Sequence, residues 1–430
     1  MGDHQQVVLG DCREVLKTLP DNHFDSLVTD PPSGIKFLGL DWDTFKPSES
    51  EEDVEGRAEL LAFQNFLVVV FKEVFRVLKP GGFGLVWALP RTSHHTKMAL
   101  ERSGFEIRDT LYHAFGQGYK KGTDVSKEFE GNGDPENAEK WVGYHTGVKP
   151  AIEEWILVRK PISGTVIENI LNYGTGALNI DDSRVFTDWD EPDRPDTWKN
   201  SGHSAKPEAA KVAAPPGTGI NCHPLGRWPA DFILSHSPGC KRVGTKVIKG
   251  DPRGDCKGTR PGGFYSPGSA SGDGKPNAYV YGDQELPVYE CVEGCPVHIL
   301  DASGASRFFK IFEPEYESNF NYQAKPSSTE KSADLDEGLV NEHKTVKSLK
   351  LMIYLVRLIT PQGGKVLDPF AGSGTTLVAA AELGFGFLGI ERDPKTWPVL
   401  KNRVANALQR IEDARDRDEA ANLVFKLESE

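Results

Sequence analysis

Short apolar runs alternate with helix-period segments through the first 160 residues. "VVLGD" at 7–11 predicts a strand, "REVLKTL" a helix, and "FDSLVTD" a second strand. "AELLAFQNFLVVVFKEVFRVL" repeats apolar positions three and four apart, the stripe of a long amphipathic helix, and "KPGG" is expected to end it. "FGLVWAL" follows as a strand, "TKMALERSGF" as a helix, and "EIRDTLYHAF" and "WILVRK" as two more strands. The alternation breaks off near residue 160 and returns after 340. There "VKSLKLMIYLVRLI" predicts a helix, "GGKVLDPF" a strand, "GTTLVAAAELG" a helix and "FGFLGIER" a strand. This alternation is the signature of a mostly parallel, doubly wound α/β sheet.

Between the two α/β stretches, from about 185 to 335, the chain is rich in Gly, Pro and Ser and has few periodic segments. The expected organisation is one discontinuous domain with a second placed inside it. Residues 1–184 form its first half, 185–335 a loop-rich inserted domain, 336–410 its second half and 411–430 an acidic C-terminal tail. A length of 430 residues suits more than one core, because single cores rarely grow past ~250–300 residues. No run of about 18 apolar residues occurs and "MGDHQQVVLGD" lacks the shape of a signal peptide, so a soluble, cytoplasmic protein without a membrane partner is expected.

A net charge of −13 argues against a generally basic binder of polyanions. The charge is uneven, however: residues 201–280 hold 11 Lys and Arg against 5 Asp and Glu, a balance of +6 that suits contact with a polyanion. Six cysteines in so long a chain do not make a secreted disulfide framework; they point to a metal or to free thiols.

Two stretches carry chemistry. In "SLVTDPPSG" an apolar strand delivers Asp30 into Pro31 and Pro32, with Ser33 next. Neither proline has an N–H and both have a fixed φ, so Asp30 is held in a stiff turn at a strand's carboxyl end, where open α/β sheets bind ligands. In "VLDPFAGSGTTLVAAAELGFGFLGIERD" a strand ends at Asp368, small residues follow, and a helix starts at once. Such a turn lets backbone approach a ligand and aims helix N–H groups at it. Glu391, 23 residues after Asp368, closes the next strand at about the spacing of an acid that binds ribose hydroxyls. The pattern lacks the G-x-x-x-x-G-K-[ST] of a P-loop, and A-G-S-G is not the G-x-G-x-x-G of a dinucleotide site.

"DPFAGSGTT" with "GIERD", preceded by "HKTVKSLKLM", resembles the S-adenosylmethionine site of the DNA amino-methyltransferases. "TDPPSG" resembles their catalytic D-P-P-Y tetrapeptide. The catalytic strand precedes the cofactor strand, the order of that family's β group, as found in restriction-modification or phage-type enzymes. The resemblance covers about 1–175 and 340–410. It implies a seven-stranded, mostly parallel, circularly permuted sheet, and transfer of a methyl group from S-adenosylmethionine to the exocyclic amino group of a flipped base in double-stranded DNA. Asp30 and the carbonyl of Pro31 would accept the amino hydrogens, within the tetrapeptide of Asp30, Pro31, Pro32 and Ser33. Asp368, Pro369, Phe370, Gly372, Gly374 and Glu391 would hold the cofactor, with Asp11 on its adenine and Thr345 at its methionine end. Lys149 and Glu153, in a further family-like segment, would be structural.

Ser33 stands where the family has a base-stacking aromatic. Phe115 and Tyr119 in "YHAFGQGY" are the favoured replacements, with Tyr112, Phe37 and Trp42 as competitors. An aspartate before Pro-Pro leans towards adenine N6 over cytosine N4. A degenerate module that binds cofactor or DNA without turnover is the alternative in a different class, and RNA or protein methylation a third. Cytosine-C5 chemistry needs a thiolate, usually after proline, and no Pro-Cys pair occurs. The basic insert would choose the target. A homodimer and a companion restriction endonuclease are both allowed as partners.

The insert carries its own constellation. His236-x3-Cys240 and Cys291-x3-Cys295 offer four ligands for a structural zinc, with Cys256 and His223 as competitors and free buried thiols as the alternative.

Overall fold

The computed structural model describes residues 4–36, 39, 43–46, 58–114, 122–148, 151–185, 228–237, 239–248, 284–293, 295–301, 310–312, 334–336, 338–341 and 346–429. They contain eleven strands: β1 Gln5–Leu9, β2 Phe24–Thr29, β3 Leu78–Ala88, β4 Glu106–Ala114, β5 Ile152–Arg159, β6 Phe232–Ser235, β7 Lys241–Ile248, β8 Gln284–Glu290, β9 Lys310–Phe312, β10 Lys365–Asp368 and β11 Gly386–Glu391. Nine form one sheet in the order β1-β11-β10-β2-β3-β5-β4-β6-β9. Only β5 runs against its neighbours β3 and β4, so the sheet is mostly parallel, as the alternation predicts. The expected seven strands become nine, because β6 and β9 extend the edge beyond β4 in parallel register. Both extra strands are three or four residues long and fall inside the stretch expected to be a separate insert.

Side chains alternate between two cores. Val28, Leu85, Trp155, Leu157, Val366 and Phe387 face helices Leu349–Ile359, Thr375–Glu382 and the start of Trp397–Ser429. Leu27, Val86, Ile156, Val158, Leu367 and Leu388 face helices Ala58–Val77 and Ser93–Arg102. Helices of the N-terminal stretch therefore cover one face and those of the C-terminal stretch the other. Strands β2 and β10 are neighbours, although Leu27 and Leu367 pair across 340 positions of sequence. From β2 the chain winds to β3; from β10 it winds to β11. This is a topological switch point, where ligands bind beyond the strands' carboxyl ends.

Two local expectations change. "KPGG" does not stop the long helix with a loop: the helix ends at Val77 and β3 begins at Leu78, carrying Pro80 and the two glycines inside it. Gly81, at φ +77, donates to Lys160 O at 3.0 Å, and Lys160 N donates to Gly82 O at 2.9 Å, so the irregular start of β3 is still paired. The acidic segment after 410 continues a helix that runs from Trp397 to Ser429.

The chain divides into two compact units: residues 1–183, 230–240 and 291–430 in the first, 184–229 and 241–290 in the second. In the second, β7 and β8 pair antiparallel, with Ile248 opposite Gln284 and Lys241 opposite Glu290. Among the described residues no helix is long and apolar enough to cross a membrane.

Gly389 shows how tightly the β10–β11 side of the sheet is packed. A Cβ there would sit 2.4 Å from Leu377 Cδ1 and 3.1 Å from Ala371 Cβ, between β11 and the helix behind the glycine turn. Gly389→Ala is expected to cost about 1–3 kcal/mol through overpacking. Denaturant unfolding checks this, and an unchanged midpoint would contradict it.

Candidate active site

Asp30 follows β2 directly and Asp368 ends β10, so two Asp-Pro corners lie side by side at the switch point. Thr29 joins them: its hydroxyl donates to Asp368 Oδ1 at 2.7 Å, and both side chains are buried. Asp368 Oδ1 also accepts from Phe370 N at 3.1 Å, which closes the first turn after the strand. Burial raises the Asp368 carboxyl to about 6, against hydrogen bonds from Thr376, Thr29 and the Phe370 backbone.

Asp30 Oδ2 accepts from Lys347 Nζ at 2.7 Å. The same ammonium lies 4.1 Å from the centre of the Trp87 ring, a cation–π contact at the end of β3. Behind it, the Glu153 side chain is 20% exposed; its partial burial by itself would raise its pKa, but the Lys347 charge and contacts with His113 and Trp87 hold it down at about 2. Glu153 Oε2 is 3.8 Å from His113 Nδ1, and His113 Nε2 is 2.8 Å from Ser235 Oγ. Lys347 is thus seated on an aromatic face between two carboxylates. Sequence reasoning chose Thr345 from "HKTVKS" and passed over Lys347, because a lysine preceding a helix looks like a solvated charge.

Ser33 has a partner of its own. Its hydroxyl donates to Asp43 Oδ2 at 3.0 Å and its N–H to Asp43 Oδ1 at 2.7 Å. Gly34 N and Ile35 N donate to the same carboxylate at 2.6 and 3.1 Å. Asp43 is fully buried, and four donors compensate that carboxylate. Thr92 Oγ1 donates to Ser33 O at 2.7 Å, fixing the other side of the turn. Gly34 is at φ +70, and a Cβ there would meet the Phe63 ring at 2.7 Å. Serine thus fits where an aromatic was expected, since its short hydroxyl reaches inward to Asp43. Phe115, Tyr119, Phe37 and Trp42, the aromatics expected to stack on a base, lie outside the described residues, as do Thr345 and Lys149. Tyr112 is described, on β4.

At the end of β11, Glu391 Oε2 accepts from Gly372 N at 2.9 Å and Oε1 from Asp393 N at 2.6 Å. Burial raises the Glu391 pKa. Gly374, at φ +84, caps helix Thr375–Glu382, and Ala371 N donates to Ile390 O at 2.9 Å, so the turn is pinned to β11 at two points. Beneath it Arg403, 1% exposed, donates to Thr375 Oγ1 at 3.0 Å and to Ser373 O at 3.3 Å. Nothing in the helical pattern of residues 397–410 marked Arg403 as an inward-facing charge. Asp11 accepts from Arg13 N at 2.9 Å and pairs with the Arg13 guanidinium, which lowers the pKa of its carboxyl.

These groups line one cavity of about 630 Å³, within the ~300–1,000 Å³ of small-molecule sites. Asp11, Asp30, Pro32, Asp368, Pro369, Phe370, Gly372 and Glu391 line it; Pro31, Ser33 and Gly374 do not. Lys347, Phe45 and Phe66 join the wall, with the Phe66 ring 5.1 Å from Phe45 and 6.2 Å from Phe370. Acids, aromatics and a glycine turn that a Cβ would crowd against Leu400 at 2.5 Å suit a nucleoside carrying a charged tail. The ligand atoms of His236, Cys240, Cys291 and Cys295 gather elsewhere, within 4.8 Å of one another.

The buried acids set a pH dependence. A folded carboxyl at about 6, against 3.8 for the exposed group, binds its proton more tightly than the unfolded chain does. Its contribution to stability is fully present below the unfolded pKa and is lost as pH rises through the folded one. The stability difference between wild type and Asp368→Asn should therefore change between about pH 4 and 6 and be flat above. Urea titrations across that range check this, and a constant difference would contradict it.

Residues 264–402 match a family model described as DNA methylase, of the N6/N4 type. The chain is 27% identical over 194 residues to the type II methyltransferase M.HindIII of Haemophilus influenzae, an alignment covering 38% of this chain and 61% of that protein. It is 46% identical over 55 residues to the type II methyltransferase M.BglI of Bacillus subtilis, covering 13% and 16%. The alignments thus span about three fifths and one sixth of these two curated relatives. The PvuII DNA methyltransferase, a cytosine-N4-specific enzyme of known structure, superimposes with a TM-score of 0.42 at 13% identity, covering 96% of this chain and 93% of that one. Over residues 264–402 the chain is thus similar to the DNA N6/N4 methylases, and that stretch carries the Asp368 strand end, the glycine turn and Glu391.

Proposed function

We propose that this protein methylates the exocyclic amino group of a base in double-stranded DNA, with adenine N6 favoured over cytosine N4. One observation carries the reading: Asp30 and the Asp368–Glu391 turn, from opposite ends of the sequence, line the same cavity. S-adenosylmethionine, when bound, would supply a methyl group made electrophilic by its sulfonium. Gly372, Phe370 and Glu391 are the residues that would hold it, with Asp11 at its adenine.

An exocyclic amino nitrogen is a poor nucleophile because its lone pair is delocalised into the ring. In this reading Asp30 accepts one amino hydrogen and the Pro31 carbonyl the other, drawing the nitrogen towards tetrahedral geometry. The nitrogen becomes positive as its new bond to carbon forms, and it then gives up one proton. Fixed acceptors cost no reorganisation at that moment, which is why a rigid Asp-Pro-Pro turn suits the task. Lys347 holds the carboxylate in one orientation, and the Ser33–Asp43 clamp holds the turn that carries it. The basic excess of residues 201–280 supports a role for the insert in meeting DNA phosphates and choosing the site. The aspartate at position 30 favours adenine, since cytosine-N4 enzymes often have serine there.

The test is incubation of unmodified DNA with methyl-labelled cofactor, followed by mass spectrometry of the nucleosides. Label in N6-methyladenine is the expected result. Label in N4-methylcytosine would change the base, and bound cofactor without label would favour a module that has lost turnover. Asp30→Ala should abolish labelling while cofactor affinity stays nearly intact, because transition-state acceptors act on turnover more than on ground-state binding. Glu391→Ala should instead weaken cofactor binding by ~1.5–3 kcal/mol, roughly 10- to 150-fold. Unchanged affinity in a folded Glu391→Ala variant would remove that residue from the cofactor site.

A further inference from the structure

His236 follows β6, Cys240 closes the turn after it, Cys291 follows β8, and Cys295 precedes the short helix Pro296–Asp301. Cys295 is fully buried, and Cys240 and His236 are 7% and 8% exposed. None of the four lines the cavity that holds Asp30. We propose that these four side chains bind one structural zinc ion, which staples together the two points where the chain leaves for residues 241–290 and returns from them.

Geometry comes first. Ligands ~2.0–2.3 Å from a tetrahedral zinc lie ~3.5–3.8 Å from one another. Cys291 Sγ is 3.3 Å and Cys295 Sγ 3.7 Å from the same atom, His236 Nδ1. One imidazole lone pair accepts a single S–H well, yet two sulfurs converge on it, the arrangement of ligands around an ion.

The backbone makes the same shape twice. Cys240 N donates to Ser237 O at 3.2 Å, and Cys295 N donates to Val292 O at 3.2 Å. Each pair, His236 with Cys240 and Cys291 with Cys295, is thus a ligand-x3-ligand turn closed by an N–H of its second ligand. Gly239 takes φ +91 in the first turn, with its Cβ position 3.2 Å from Val292 in the second, so the turns are packed against each other.

The donor set chooses the metal. Three sulfurs and one imidazole are soft and borderline ligands, and four of them close a tetrahedron with no open position, which suits a structural zinc. On binding, three thiols lose their protons to solvent and the imidazole stays neutral, so Zn²⁺ with three thiolates leaves a net charge of −1. The surrounding core is small: Ala114, Leu234 and Val297 are its only other buried members among the described residues. A metal supplies folding free energy where so little apolar surface is buried.

Elemental analysis of the full-length protein, purified without added chelator, should find about one zinc per chain. Cobalt in its place should give sulfur-to-metal charge-transfer absorption. In the loaded protein Cys240, Cys291 and Cys295 should resist a thiol reagent, and all three should react once a chelator has removed the metal. Cys295→Ser should lose the metal, whereas Cys256→Ser should keep it. Should Cys295→Ser fail to fold, the thiol reactivity of loaded and chelated wild type still decides the matter. A chain from zinc-supplemented cells that holds no metal, with thiols equally reactive before and after chelation, overturns the proposal. So does a disulfide between any two of the three cysteines.

Discussion

The pairing of β2 with β10 is the constraint on which the rest of the site depends. Each strand ends in Asp-Pro, and the Thr29 hydroxyl ties one corner to the other through Asp368. Side by side, these corners put a rigid carboxylate and a glycine turn on one wall of a cavity. Apart, each is an unremarkable strand end. The buried hydrogen bond is strong in effect because no water can replace it, and losing the Thr29 donor would leave a buried carboxylate short of a partner.

The corner at Asp30 is held from both ends. Lys347 grips the carboxylate, itself braced by Trp87 and Glu153, while Asp43 gathers four donors from Ser33, Gly34 and Ile35. The serine that looked like a missing aromatic is part of this brace. Its side chain spends its hydrogen bond inward, so it fixes the loop and presents no ring to the cavity.

Much of this was legible. Apolar runs that end in Asp-Pro announced β2 and β10, and the alternation of elements announced the doubly wound sheet. The spacing of Asp368 and Glu391 announced the ends of two successive strands, and Glu391 receives the Gly372 N–H from the turn between them. What stayed hidden depends on contacts distant in sequence. Lys347 and Arg403 look like exposed helix charges until the fold turns them inward. Asp43 sits in a stretch with neither a helix nor a strand period, so nothing local marks it as buried. Strands β6 and β9 are too short to show a period; β4 offers an edge to β6, and β6 offers one to β9. Pro80 and its glycines read as a stop because propensity is local, yet backbone bonds to Lys160 carry them into β3.

The long separation between the two corners also bears on how the protein is made. A ribosome delivers Asp30 first and Asp368 only after more than three hundred further residues. Until β10 emerges, the apolar edge of β2 has no neighbour on that side, and non-local pairing of this kind is slow and exposed to wrong partners. The nascent chain therefore carries an inert half-site for most of its synthesis. A message cut short anywhere before the last strands yields a product that has the Asp30 corner and lacks the Asp368–Glu391 wall beside it.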